Sequence, residues 1–246
     1  MPHVLLVLFY FFDDKNMSFG IIKDGEYQLR DVPVSRLMRE QDFTSVLCLT
    51  WVGRLPTEDE RILLNACLIA CVDHGVEPPS AHVTRRIASC GKPVADAVAA
   101  GLLALGPRHG NAATAAGVWL QEAVTSGRSV VEFVEEVLAS KKRLSGVGHP
   151  EYTVDPRTMT IKELAQQHLP STARLDFGLE VSRLMTEKKG SPLPLNIDGA
   201  MGALMGDLGW PLEMADAIFL AGRTIGLVAH AWEEMGATSG GTYKRG

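Results

Sequence analysis

Residues 57–75 read Thr57-Glu-Asp-Glu-Arg-Ile-Leu-Leu-Asn-Ala-Cys-Leu-Ile-Ala-Cys-Val-Asp-His-Gly75. Thr57 and Glu60, just after Pro56, form a capping-box pattern. In that pattern each side chain satisfies a backbone N–H at a helix start. The apolar run Ile62–Val72 follows, and Gly75 lies beyond its end, so the stretch predicts a helix stopped by a glycine. The same pattern extends in both directions. From Ser35 onward apolar residues recur at three and four positions, with few alternating β-branched runs. Further helices are expected around 81–90, 93–105, 110–126, 129–140, 160–169, 172–187, 200–208 and 212–235. Only Tyr27–Arg30 suggests a short strand. No period of 20–50 residues repeats, which argues against a solenoid. The fold class read from this pattern is all-α.

Length and composition set bounds. The 246 residues suit one or two joined domains with a substantial core. Hydrophobic residues at 46% and charged residues at 22% are ordinary for a globular protein. A net charge of -5 argues against a broad nucleic-acid surface, which needs a basic excess. Cys48, Cys67, Cys71 and Cys90 are too few for a disulfide scaffold; they are expected as reduced core residues of a cytoplasmic protein. Cys67, Cys71 and His74 could share a helical face as metal ligands, but free cysteine is a common core residue, and no metal is expected. Val4–Phe12 is an unbroken apolar run, too short to span a bilayer. It lacks a basic start and a small-residue cleavage site. Residues 1–16 are therefore expected to be a disordered or non-native extension, with Met17 the natural start, and no membrane partner is expected.

The breaks between helices carry most of the histidines. Four stand out: Asp73-His74-Gly75, Gly106-Pro-Arg-His109-Gly110, Gly146-Val-Gly-His149 with Asp155-Pro-Arg157 after it, and Leu195-Asn-Ile-Asp198-Gly199. Each sets an ionisable side chain beside glycine, which lets a backbone approach a ligand. Histidine moves protons near neutral pH. A carboxylate with a tuned pKa can act as a carbon-acid base, and arginine grips carboxylates through its fork. Individually these residues have plain readings: a histidine as a cap, Asp198 as the N-cap of the next helix, Arg157 as a surface residue.

In order along the chain, these segments resemble the citrate synthase superfamily. Residues 27–57 are similar to its opening segment, which ends in G-x-L-P-T. Asp73–Gly75 matches D-H-G, Gly106–Gly110 matches G-P-x-H-G, and Gly146–Arg157 matches G-x-G-H-x-x-Y-x-x-x-D-P-R. Asn196–Asp198 corresponds to N-V-D. Arg223 with Gly226, Ala229 and His230 fits R-x-x-G-x-x-A-H. The resemblance covers about residues 27–235.

The resemblance implies a two-domain, all-α, dimeric fold, with a large domain from 17–110 and 213–246 and a small one from 111–212. It implies carbon–carbon chemistry beside a coenzyme A thioester, with no tightly bound cofactor. Catalysis would fall to His109 at the thioester oxygen, His149 at the ketone or hydroxyl oxygen, and Asp198 at the acetyl carbon. In the cleavage direction His149 would take the hydroxyl proton. His74, Arg157, Arg223 and, from a short tail, Arg245 would bind the dicarboxylate. Arg143, Leu144, Gly146, Val147 and Gly148 would lie along coenzyme A. Lys141, Lys142 and Arg143 either help with its phosphates or form a solvated helix end. The stretch Gln166–Gly199 resembles short citryl-CoA lyases and the C-terminal portion of ATP-citrate lyase. Cleavage of citryl-CoA to acetyl-CoA and oxaloacetate is therefore the expected activity. Citrate or methylcitrate synthesis is the alternative, and a non-catalytic coenzyme A-binding subunit the third reading. His109 favours the synthases, since the ATP-citrate lyase portion tends to lack it. Pro150 departs from the arginine often found there.

Overall fold

The computed structural model describes residues 19–106 and 109–238. Among them are three short strands and eleven helices, in keeping with the all-α class. Contacts divide the chain into two compact units, one up to Asn65 and one from Ala66; each is described by itself.

The first unit opens with a meander of β1 (Gly20–Lys23), β2 (Glu26–Leu29) and β3 (Val32–Pro33), each antiparallel to the next. Only β2 was expected, because four-residue strands carry little periodic signal. The deciding feature is the turn Asp24-Gly25, both left-handed at φ 53° and 80°, a pairing that favours a tight hairpin. Helices α1 (Val34–Glu40) and α2 (Phe43–Val52) follow. Asp42 caps α2 by accepting from the Ser45 N–H at 2.7 Å. Helix α3 (Glu58–Cys71) begins at the expected capping box: Glu60 accepts from the Thr57 N–H at 2.8 Å, and Thr57 accepts from the Glu60 N–H at 3.2 Å.

The second unit takes in the end of α3 and then α4 (Pro79–Ser89), α5 (Val94–Leu103), α6 (Ala113–Thr125), α7 (Val130–Ser140), α8 (Pro156–His168), α9 (Ala173–Lys189), α10 (Ile197–Leu208) and α11 (Met214–Thr238). Two helices start earlier than the periodicity suggests, because their caps are polar. Asp155 caps α8 with Pro156 at its first position, and Asn196 caps α10. Asp198 is thus inside the first turn of α10 and is not its cap.

Two apolar centres organise this unit. Phe133, Val134, Val137, Val181 and Met185 join α7 to α9, with Trp119 of α6 and Leu144 and Val147 of the following loop packed on them. Val98, Ala81 and Leu227 join α5, α4 and α11. Helix α10 is buried along Gly199–Met205. A Cβ on Gly202 would strike the backbone of Ala113 and Gly117, so α6 and α10 cross with their backbones nearly touching. Along α10, Gly199, Gly202 and Gly206 face near neighbours; Gly209 instead ends the helix in the left-handed region at φ 69°. Helix α11 is long and apolar enough to cross a membrane by composition, but over half of that window is buried in the interior of the unit.

Of the cysteines, Cys48, Cys67 and Cys71 are buried and free. Cys90 is exposed at the C-cap of α4, against expectation. Burial pushes the Cys67 thiol up to about 12, and no three His, Cys, Asp or Glu side chains gather as metal ligands among the described residues.

Candidate active site

The four glycine-marked junctions converge in the second unit. His74 follows α3, and its ring meets His149 edge-on with centroids 5.0 Å apart. Tyr152 stacks on His149 at 4.4 Å, and the Arg157 guanidinium lies over the Tyr152 ring at 5.9 Å.

Two histidines have their tautomers fixed by backbone donors. His149 Nδ1 accepts from the N–H groups of Glu151 and Tyr152, both at 3.1 Å. Its neutral ring therefore carries the proton on Nε2. His109 lies in the α5–α6 loop, where Gly106 and His109 exchange backbone bonds of 2.7 and 2.8 Å. Its Nε2 accepts from the Ser80 N–H at 3.4 Å and sits 2.9 Å from Ser80 Oγ, which leaves the proton on Nδ1. Burial holds both rings below the ordinary histidine value, aided at His109 by Arg223 and His74 and at His149 by His74. His74 is lowered by burial and then by Arg157. All three are neutral near pH 7. The expectation that His149 removes a hydroxyl proton meets a correction here: with Nδ1 occupied, the neutral ring is an Nε2–H donor.

Asp198 is the buried acid among them. Burial first, and then the charge of Asp216, push its carboxyl up to about 6, against the pull of Arg157 and Arg223. Its Oδ1 is buried without a hydrogen-bond partner. A buried unpaired carboxylate oxygen is costly, and such sites are where reactive chemistry concentrates.

The arginines are held differently. Arg157 donates from Nε and Nη2 to the two carboxylate oxygens of Asp155, at 3.0 and 2.8 Å. Burial opposes its charge, but those bonds hold it above the ordinary guanidinium value. Asp155, itself 1% exposed, also accepts from the Ile197 N–H at 3.2 Å, so one carboxylate fixes both Arg157 and the turn bearing Asp198. Arg223, on α11, donates from Nε to Cys71 O at 3.0 Å, and its buried Nη1 has no partner. Its guanidinium lies 5.0 Å over Phe219, and burial lowers its affinity for the proton. Arg245, Pro107 and Arg108 lie outside the described residues, as do residues 1–16.

The glycine loop after α7 is bound to the start of α10. Asn196 N–H donates to Gly146 O at 2.9 Å, Asn196 Nδ2 to Gly148 O at 2.9 Å, and Gly148 N–H to Pro194 O at 2.7 Å. Beside it opens a cavity of about 560 Å³, lined by Lys142, Arg143, Leu144, Val147, Gly148 and His149, with Lys189, Met185 and Leu193 from α9 and beyond. Three cations thus meet an apolar wall next to the His149 ring. Gly146 is turned away and packs on Gly199, and Lys141 forms the left-handed C-cap of α7.

The structure thus brings His74, His109, His149, Arg157, Asp198 and Arg223 into one neighbourhood. Sequence reasoning gave no role to Ser80, Tyr152, Asp155, Asn196, Asp216 and Lys189. Tyr152, Asp155 and Asn196 stood inside quoted motifs, whereas Ser80 and Asp216 gave no local signal.

Comparison with known proteins identifies the family of the chain. Residues 27–243 match the family described as citrate synthase, C-terminal domain. The chain is similar to citryl-CoA lyase from Hydrogenobacter thermophilus, 35% identical, with a TM-score of 0.82 over 89% of this chain and 86% of that one. It is similar to citrate synthase from Thermoplasma acidophilum, 28% identical, with a TM-score of 0.66 over 78% of this chain and 52% of that one. Over 217 residues it is 31% identical to ATP-citrate synthase of Mus musculus, covering 81% of this chain but 20% of that protein. The chain thus spans about a fifth of the length of that relative.

Proposed function

Because the chain belongs to the citrate synthase family, we infer that it is a citryl-CoA lyase-like enzyme, splitting citryl-CoA into acetyl-CoA and oxaloacetate. The observation that carries this is the buried Asp198, raised to about 6 and unpartnered at Oδ1, among imidazoles held neutral. The likeness to a lyase over nearly its whole length supports cleavage as the direction.

Each residue then has a step. Arg157, Arg223 and His74 hold the carboxylates of the oxaloacetate half. His149 directs its Nε2–H at the hydroxyl oxygen, stabilising the alkoxide charge that develops there as the proton leaves and that passes to the enolate as the carbon–carbon bond breaks. The hydroxyl proton needs a base beside it, and His74, neutral and edge-on to His149, is the group in reach. His109 donates from Nδ1–H to the thioester oxygen of the forming enolate. Asp198, largely protonated below its raised pKa, gives a proton to the enolate carbon. The cavity beside His149 takes coenzyme A, with Lys142, Arg143 and Lys189 toward its phosphates. This scheme calls on no tightly bound cofactor; the thioester is substrate. It carries with it a homodimer in a reducing, cytoplasmic setting, and α6–α10, residues 111–212, as the lobe that closes.

His109 favours citrate synthesis as the second reading, since synthases keep a histidine at that place. Purified protein is assayed for citryl-CoA cleavage and, separately, for coenzyme A release from acetyl-CoA plus oxaloacetate. Cleavage without net release supports the lyase, and release at the faster rate supports the synthase. No turnover in either assay, with Asp198→Asn unchanged, rejects both.

A further inference from the structure

The turn that carries His74 is gripped by one face of α11, and the contacts advance in step along both segments. A Cβ on Gly222 would meet Leu68 O at 2.6 Å. Arg223 Nε donates to Cys71 O at 3.0 Å. Gly226 lies so close to Val72 O that no side chain fits between them. His230 Nε2 lies 2.8 Å from Asp73 Oδ1. Residues 222, 223, 226 and 230 thus read off 68, 71, 72 and 73 in order. The last contact ends at the residue before His74. Asp73 uses its other oxygen to accept from the Gly75 N–H at 3.0 Å, closing the turn at a glycine with φ 83°. His230 is 7% exposed and its Nδ1 is buried without a partner. A core that only needed filling would not leave a buried ring nitrogen unsatisfied. Asp73, although half-exposed, is held below the usual carboxylate range: burial would raise it, but bonds from His230, Gly75 and His74 prevail.

We propose that His230 is a positioning residue, acting through Asp73 to set the angle at which His74 meets the oxaloacetate half of the substrate. This rests on the reading of His74 as a substrate contact. Arg223 lies two turns earlier on the same helix, so α11 sets the spacing between two groups that grip one dicarboxylate. Small displacements of such groups have large effects on rate and affinity.

The test uses the full chain and two readouts. In substrate-free protein, the His74 ring Cε1–H signal in NMR should shift in His230→Leu and return in His230→Gln, whose amide can donate to Asp73. An unchanged His74 signal in His230→Leu overturns the proposal whatever the substrate. By calorimetry, oxaloacetate binding should weaken about tenfold in His230→Leu and about as much in Asp73→Asn, with His230→Gln near wild type. The double variant His74→Ala with His230→Leu should bind no more weakly than His74→Ala alone. Additive losses overturn the proposal. Wild-type protein that binds no oxaloacetate counts against the proposed function, while the NMR readout still decides the role of His230.

Discussion

The loops around His109 and His149 solve one problem in mirrored ways. In the proposed reaction each presents a neutral imidazole N–H to a substrate oxygen, and each uses backbone donors to fix which nitrogen carries the proton. At His109 the donor comes from Ser80 at the start of α4, far along the chain, and it occupies Nε2. At His149 the donors come from the next turn, Glu151 and Tyr152, and occupy Nδ1. The lesson is that burial alone makes a histidine neutral, but an oriented N–H makes it an acid of known direction. The long-range solution ties the His109 loop to another helix. The local one keeps His149 within one rigid turn.

In the proposed reaction Asp198 is the acid that works beside both histidines, and its loss should break the comparison most severely. Asp198→Asn is expected to lower citryl-CoA cleavage by about 10³-fold or more, measured in single-turnover assays. The same variant should be more stable at neutral pH. The folded pKa of about 6 lies above the ordinary aspartate value of 3.8, so ionisation costs folding free energy as pH rises through that window. At 1.36 kcal/mol per pKa unit, the relief in the variant is about 3 kcal/mol at pH 7. It vanishes below pH 4, which denaturant unfolding at both pH values checks.

Amide substitutions sharpen the comparison itself. The Asn amide imitates Nδ1–H and the Gln amide imitates Nε2–H. His109→Asn should therefore retain more activity than His109→Gln, and His149→Gln more than His149→Asn. Within an overall loss of roughly 10²-fold for each, the crossed order is the result to look for. The same rank order at both positions would show that the two tautomers do not matter.

The pH profile comes next in size. Cleavage needs Asp198 protonated, so its rate should fall about tenfold per pH unit once the medium passes the Asp198 pKa of about 6. Condensation needs it ionised and should rise through the same range. Burial holds both histidines below their ordinary value, so they move further toward the neutral form as pH rises. The smallest effect is expected of Ser80→Ala. It removes Oγ but leaves the backbone donor at His109, so a loss of only about two- to fivefold in turnover is expected.

Much of this was readable in the chain before any coordinates. Thr57 and Glu60 marked the start of a helix by local chemistry, and the structure keeps them; that helix ends at Cys71, and Gly75 lies in the turn beyond it. The ordered histidine and aspartate motifs named the groups that meet. What was hidden depends on partners distant in sequence. The bond between His230 and Asp73 spans 157 positions, and the Asp155 bridge to Ile197 spans 42. Periodicity cannot report such pairs, because it records which face a residue occupies and not what lies opposite. The β1–β2 hairpin was missed for another reason: its strands are four residues each, too short to show a period.

Gly146 and Gly199 meet with no side chain between them; a Cβ on either would fall 2.5 Å from the other's backbone. The consequence concerns transplantation. The glycine loop after α7 and the helix bearing Asp198 form a single inheritable cassette, and neither can be exchanged with a relative's counterpart alone. A chimera that imports the loop must bring the matching glycine of α10 with it.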